Sequence, residues 1–330
     1  SVSNIAGYLL QTGLIMETGR ENVDRTGRKG ILLRFDGSRY RIVTASLADG
    51  VLHLFLTDLQ GAVYAHLEHR LLGADAEATA RLLCGGVAQM LASPQAENVL
   101  AVGVSVSALV LQDGRRVTSA RLGWNRMDLR ARLETPGDLP VYVTNSSFAK
   151  AGWLCRLHPE WSRGLTLFVD MTHGIGSALL RDGERMDACV GEIGHSVVAP
   201  DGEVCSCGRR GCLEAYCSAT RLTEVSGVTL REFFLGVECG NSAYRTLLDD
   251  YLRHLAIGIH NIRLALDCDV VLGGFMAKFL EPYLPQLRDQ LAQLDPFDAA
   301  GAYLHLSRYP KHAALIGAAL YFVKQFLDQV

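Results

Sequence analysis

Between Arg39 and Leu71 the chain reads "RYRIVTASLADGVLHLFLTDLQGAVYAHLEHRL", alternating runs interrupted at "ADG" and "LQG". A period of two with glycine-bearing breaks predicts successive strands. The spacing turns helical from Ala76 to Ser93, and "NVLAVGVSVSALV" (Asn98 to Val110) is apolar enough for a buried strand. The second half opens on "GLTLFVDMTHGIGSALLRDGERM", a hairpin through Gly174 and Gly176. A long apolar helix is expected over Asn241 to Leu266, followed by a strand and turn, "DVVLGGF", from Asp269 to Phe275. A closing helix over His312 to Leu327 would pack back on a sheet. Strand sets alternating with long helices in two halves, with no low-complexity linker, predict α/β lobes.

The front of the chain has a different pattern. Ser1 or Ser3 can cap a helix with Ile5, Leu9 and Leu10 on one face, ended by Gly13. "LIMETG" and "GRKGILLRF" then read as a hairpin whose tip carries Arg20, Arg25, Arg28 and Lys29 against Glu17, Glu21 and Asp24. Over all 330 residues, 32 basic and 35 acidic side chains leave a net charge of -3. Nothing global therefore marks a polyanion binder, and any nucleic-acid contact must come from such a local segment. With 49% hydrophobic residues the chain can bury one or two cores, yet no run is long enough to cross a bilayer, so membrane insertion is not expected. Nine cysteines, an odd number, with Cys84, Cys155, Cys189, Cys239 and Cys268 scattered singly, read as reduced thiols of a cytoplasmic protein.

Three of the other cysteines are clustered. "GEIGHSVVAPDGEVCSCGRRGCLE" (Gly191 to Glu214) holds Cys205, Cys207 and Cys212 in a C-x-C-G-x-x-G-C pattern, with His195 upstream. Thiolate sulfur and imidazole nitrogen suit tetrahedral zinc, and Gly208 and Gly211 give the loop the freedom to turn its ligands onto one ion. Four protein ligands leave no place for an activated water, so such a zinc is structural. The alternatives are free thiols or a Cys205 to Cys212 disulfide. Glu192 precedes His195 by three residues and Glu214 follows Cys212 by two. An ion fixing those ligands would also hold two carboxylates side by side, an acceptor pair suited to vicinal sugar hydroxyls. Taken alone, Glu214 also reads as a first-turn carboxylate of the following helix.

At these residues the sequence resembles the ROK family, named for repressors, open reading frames and sugar kinases. "GEIGH" and "CSCGRRGCLE" are similar to its glucose-binding and zinc segment. The resemblance implies zinc at His195, Cys205, Cys207 and Cys212, sugar contacts from Glu192, His195 and Glu214, and two actin-like, ribonuclease-H-like α/β lobes around a cleft. It also implies that the front of the chain is the recognition helix and wing of a partial winged helix-turn-helix. Ser1, Ser3, Asn4, Arg25, Arg28 and Lys29 are then the DNA-contact candidates. The expected division is 1–38 for that remnant, 39–148 with 312–330 for the first lobe, and 149–311 for the second. A helix-turn-helix needs preceding helices, so residues upstream of Ser1 are expected to be missing.

Two departures bear on activity. A ROK kinase carries its general base as the second residue of an Asn-Asp pair, and "VTNSS" here has Asn145 followed by Ser146. A serine hydroxyl cannot take that proton at neutral pH, and losing a general base costs about two to four orders of magnitude in rate. The first phosphate loop would fall on "RIVTASLADG", with Thr44, Ala45 and Ser46 where turn glycines are needed. "THGIGS" and "LGGF" are weak signals, read as hairpin and helix-entry turns. The expected protein is a non-enzymatic, sugar-responsive regulator, most simply a repressor. Its partners would be operator DNA, a sugar or sugar-phosphate effector held by Glu192, His195, Glu214 and Asn145, and copies of itself in a homodimer or homotetramer. The alternatives are a hexose or N-acetylhexosamine kinase and an orphan regulator that binds no sugar.

Overall fold

The structure, a computed structural model, describes residues 2–20, 30–48, 50–71, 75–111, 114–119, 122–133, 135, 139–186, 191–295, 301–307, 316, 317, 319, 321 and 323. The strands are β1 (Ile15–Arg20), β2 (Ile31–Phe35), β3 (Arg41–Ala48), β4 (Val51–Thr57), β5 (Val63–Arg70), β6 (Val99–Val106), β7 (Leu109–Val110), β8 (Arg116–Ser119), β9 (Trp124–Asp128) and β10 (Val141–Asn145). In the second half follow β11 (Leu165–Met171), β12 (Ile175–Arg181), β13 (Glu184–Arg185), β14 (Asp269–Gly273) and β15 (Leu304–Leu306).

The alternation of Arg39 to Leu71 becomes the meander β3, β4, β5, turning at Gly50 (φ +74°) and Gly61 (φ +89°). Its apolar set, Val43, Ala45, Leu47, Leu52, Leu54 and Leu56, is fully buried with Leu83 and Val87 of the helix Ala76–Leu91. That helix starts where Asp75 accepts a hydrogen bond from the Ala78 amide at 2.7 Å. β6 and β10 then add in parallel, giving the order β10-β6-β3-β4-β5. The second sheet repeats the plan. β11, β12 and β13 form an antiparallel meander, β14 and β15 add in parallel on the other side of β11, and the order is β13-β12-β11-β14-β15. The two actin-like sheets expected of the sequence are thus present. The core of the second sheet gathers Leu167, Val169, Phe233, Tyr251, Leu252 and Leu272, part of it from the helix Ser242–Leu266, which Asn241 caps.

The small sheet β7-β8-β9 packs Val110, Val117 and Trp124 into the first core. The buried strand expected over Asn98 to Val110 is accordingly two, β6 and β7, parted at Ser107 and Ala108. Within "THGIGS" the turn is Thr172 to Gly174, where the Thr172 amide donates to the Gly174 carbonyl at 2.9 Å, while Gly176 already lies in β12 opposite Asp170. Thr44 and Ser46 lie inside β3 and are buried, paired to β4 on one side and β6 on the other. Where a phosphate loop would need turn glycines, the strand runs on through Thr44, Ala45 and Ser46; β3 ends at Ala48 and β4 begins at Val51.

At the front, a helix spans Val2–Thr12 and Gly13 (φ +75°) ends it. Ser3 therefore sits inside the helix rather than capping it; of the expected apolar face, Leu9 and Leu10 are half-buried, Leu9 against Leu14 and its neighbours, while Ile5 is 62% exposed. The following hairpin exists as β1 antiparallel to β2. The Asp36 amide donates to the Leu14 carbonyl at 2.8 Å and the Tyr40 hydroxyl to the Thr12 carbonyl at 2.6 Å, holding this element to the first sheet. Ser1, Arg25, Arg28, Lys29 and most of the expected closing helix lie outside the described residues; residues 316, 317, 319, 321 and 323 of the latter are helical.

The lobes meet at the helix Ser146–Leu157. It starts directly from β10 of the first sheet, yet Phe148, Ala151 and Leu154 pack on Phe168, Ala178 and Leu180 of the second. The boundary expected at 148–149 falls within this helix. Lys150 on it donates to the Asp170 carboxylate of β11 at 2.6 Å, with side chains only 13% and 5% exposed. Removing one partner of a buried ion pair strands the other charge. Lys150→Ala should therefore lower unfolding stability by about 3 kcal/mol, measured by guanidinium titration. An unchanged midpoint would mean that Asp170 does not depend on this ammonium.

Candidate functional site

A cleft of 1010 Å³ opens at that helix, walled by Ser107, Leu109, Thr118 and Ser119 on one side and by Thr172 to Gly176, Glu192, His195, Glu214 and Arg221 on the other. The four residues expected to contact a sugar, Asn145, Glu192, His195 and Glu214, all line it.

Its far wall is the loop Gly191 to Glu214, folded as a small knuckle. The Cys205 amide donates to the Arg209 carbonyl at 2.8 Å, the Val198 amide to the Gly211 carbonyl at 2.8 Å, and the Leu213 amide to the Ser196 carbonyl at 2.9 Å. Gly211 is required: its φ is +76°, and a Cβ there would lie 1.9 Å from the Ala199 carbonyl oxygen. Tyr216 braces the loop, accepting from the Glu203 amide at 2.8 Å while stacked on His254 with ring centroids 3.8 Å apart.

This folding brings His195, Cys205, Cys207 and Cys212 together, with one donor atom from each within 4.8 Å of all the others. All three cysteines are free thiols, so the Cys205 to Cys212 disulfide is not formed. Cys205 Sγ lies 3.6 Å from His195 Nδ1 and Cys207 Sγ 3.8 Å from Cys212 Sγ. A tetrahedral ion with sulfur at about 2.3 Å and nitrogen at about 2.0 Å requires edges of roughly 3.8 Å between sulfurs and 3.5 Å between sulfur and nitrogen. The donor set and its spacing fit a metal ion. Electrostatics agree: burial pushes the Cys205 thiol up and that of Cys212 to about 12. Burial also opposes the Cys207 thiolate, but hydrogen bonds from Arg209 and the two other thiols together lower this one. Three thiols of such different acidity become thiolates together only when a cation faces them.

The two carboxylates occupy different positions around this cluster. Glu192 Oε2 lies 3.6 Å from His195 Nε2, the ring nitrogen turned away from the cysteines. Although 34% of the Glu192 side chain faces the cleft, desolvation by the surrounding walls, with the Glu214 carboxylate adding repulsion, pushes its pKa up to about 7. Glu214 lies in the first turn of the helix Leu213–Cys217, so both of its expected placements hold. It accepts from the Ile175 amide at 2.8 Å and from the Ser206 hydroxyl at 2.9 Å. Its position thus rests on the β11–β12 turn as well as on the cysteine loop. The expectation that a metal alone would position both glutamates is corrected to that extent.

The floor is polar and buried. Asn145 caps the crossing helix, its oxygen accepting from the Ser147 amide at 2.7 Å and its nitrogen donating to the Ala108 carbonyl at 2.8 Å. Ser146, 2% exposed, shares a hydrogen bond with Ser107 at 3.0 Å. Asp170 adds a carboxylate held by Lys150 and, at 3.3 Å, by the Ser147 hydroxyl. Sequence reading passed over Asp170, Lys150, Ser107 and Arg221. Asp170 did leave a signal, one charge in the apolar run "LTLFVDM". Ser3 and Asn4, on the exposed first turn of the front helix, are not part of this site.

A family model described as the ROK family matches residues 52–325. The xylose repressor of Caldicellulosiruptor bescii is 25% identical over 325 residues, 89% of this chain and 80% of that protein. An N-acetylmannosamine kinase of Salmonella paratyphi B is 30% identical over 197 residues, 57% of this chain and 66% of the kinase. The crystal structure of a ROK family transcriptional regulator, a homolog of the E. coli MLC protein, shares the fold at a TM-score of 0.81 and 19% identity, covering 99% of this chain and 88% of that one. Repressors and kinases are therefore both among its relatives. Because the matched region runs through both sheets, the cleft and the cysteine loop, the chain belongs to the ROK family.

Proposed function

We propose that this protein is a sugar-responsive, DNA-binding transcriptional regulator, most simply a repressor, whose cleft binds its effector without phosphorylating it. The observation that carries the reading is Ser146. Glu192, Glu214 and the cysteine loop line the cleft, while the residue after Asn145 is a buried hydroxyl bonded to Ser107 rather than a carboxylate. With a hydroxyl instead of a carboxylate at the position expected of the general base, a bound sugar would remain a ligand. The relative named a xylose repressor, matched over most of both chains, supports this reading. The relative named an N-acetylmannosamine kinase keeps the kinase as the competing one.

Zinc is the ion we assign to His195, Cys205, Cys207 and Cys212, because three thiolates and an imidazole in a closed tetrahedron are its preferred donors. It would supply the charge that keeps the thiols ionised, leaving His195 Nε2 and Glu192 facing the effector. Glu192 and Glu214 would accept hydrogen bonds from adjacent sugar hydroxyls, with Asn145 approaching from the floor. On this reading the front helix and hairpin contact operator DNA, through Ser1, Ser3, Asn4, Arg25, Arg28 and Lys29, in a homodimer or homotetramer.

The deciding experiment is a gel-shift titration of the full-length protein on genomic fragments, with and without hexoses, pentoses and N-acetylhexosamines. We expect a sequence-selective shift that weakens steeply with salt and responds to one sugar. By linkage, operator must alter the affinity for that sugar by the same factor. A shift that no sugar alters would favour the orphan regulator.

Glu192→Ala should weaken binding of the responding sugar by about 1.5 to 3 kcal/mol, the scale of a hydrogen bond to a charged group, in calorimetric titration. The wild-type protein with ATP should leave that sugar unphosphorylated. Robust phosphorylation would establish the kinase reading instead.

Cys207→Ser should lose one equivalent of zinc, counted by mass spectrometry of the metal, and weaken sugar binding as well, since His195 and Glu192 share the loop. Because Glu214 keeps its bond to Ile175, the variant should retain part of its affinity. Full zinc content in a folded Cys207→Ser protein would sink the assignment.

A further inference from the structure

We propose a second metal site, on the first lobe, in which His53, His66 and Glu68 bind a divalent transition-metal ion of the zinc or nickel type and clip β5 to β4. The register places these residues together. β4 and β5 are antiparallel, with His53 directly opposite Glu68 and Phe55 directly opposite His66. All four side chains therefore project from one face of the sheet, His66 and Glu68 two residues apart on one strand and His53 across from them.

The donor atoms converge. His53 Nδ1 lies 3.4 Å from His66 Nε2 and 3.5 Å from Glu68 Oε2, and one donor atom from each of the three lies within 4.8 Å of the others. An ion with nitrogen and oxygen ligands at about 2.0 to 2.1 Å in a tetrahedron has edges of roughly 3.3 Å, close to the two edges that run from His53. Two imidazoles and a carboxylate select a transition-metal ion over calcium or magnesium, which prefer all-oxygen shells.

The neighbours orient the ligands. The His66 ring stacks on Phe55, centroids 4.2 Å apart and planes 22° from parallel, and lies nearly parallel to His53 at 5.7 Å. Phe55 is itself buried, so the stack fixes the plane in which His66 presents Nε2. The His53 side chain is 18% exposed and that of Glu68 43%, so an ion has a route in from solvent. β5 is the outer strand of its sheet, held by backbone bonds to one neighbour only. An ion bridging side chains of β4 and β5 would secure that edge, where sheets are otherwise prone to fray or to pair with other chains.

The site shares no residue with the cysteine cluster or the cleft, so it stands apart from the function proposed above. The test is calorimetric titration with Zn²⁺ or Ni²⁺, using tag-free protein already saturated and desalted. It is run beside His66→Gln and Glu68→Gln, half-exposed or exposed positions at which folding should persist. Wild type should take up one equivalent that His66→Gln binds at least about tenfold more weakly, and Glu68→Gln should weaken the same equivalent. Cys207→Ser should keep it while losing the other. Metal-loaded wild type should also melt higher than metal-loaded His66→Gln. If wild type and His66→Gln bind metal identically, or wild type binds none beyond the cysteine cluster, the proposal is wrong. Because it is read as the difference made by His66, a failure of the cysteine site would leave this comparison intact.

Discussion

Three thiols and an imidazole converging within 4.8 Å are the constraint around which the far wall of the cleft is arranged. Left to water, Cys212 would hold its proton tightly while Cys207 would release its own more easily, and nothing would bind the four groups to one geometry. A divalent cation removes the conflict by favouring the anion at every sulfur. The loop is shaped for this, with Gly211 pressed against the Ala199 carbonyl and Tyr216 bracing Glu203. His195 then points one nitrogen at the cysteines and the other at Glu192. On the function proposed above, metal order and effector recognition would pass through a single imidazole.

On the floor the chain brings a strand end, a helix start and a second sheet together through buried hydrogen bonds. Asn145 meets two backbone groups at once, Ser146 meets Ser107, and Ser147 and Lys150 share the Asp170 carboxylate. Each bond crosses from one structural unit to another. Movement between the lobes would therefore disturb a buried polar network, in which hydrogen bonds are worth most and their loss costs most. A ligand resting on this floor and on the glutamates would touch both sheets.

The architecture has an internal logic that the sequence does not display. Both sheets are a three-stranded meander with two parallel strands added beside the first strand, although "RIVTASLA" and "LTLFVDM" share no obvious pattern. What they share is a buried central position. β3 and β11 each pair with an antiparallel neighbour on one side and a parallel neighbour on the other. Strands buried on both faces need apolar side chains more than any particular order of them.

The sequence by itself determined the elements and the metal-binding motif. Periodicity is a local property, so the meander from Arg41 to Arg70, the helix Ser242–Leu266 and β14 could be read from spacing and breakers alone. The cysteine loop was legible because its four ligands lie within eighteen residues of one another, His195 to Cys212. Tertiary structure alone decided the rest. It tied Glu214 to Ile175, paired Lys150 with Asp170, and set His53 beside His66 and Glu68 through strand register. Each of these contacts joins residues more than a dozen positions apart. Their partners are chosen by how sheets and helices stack, and no reading of neighbouring residues can supply that.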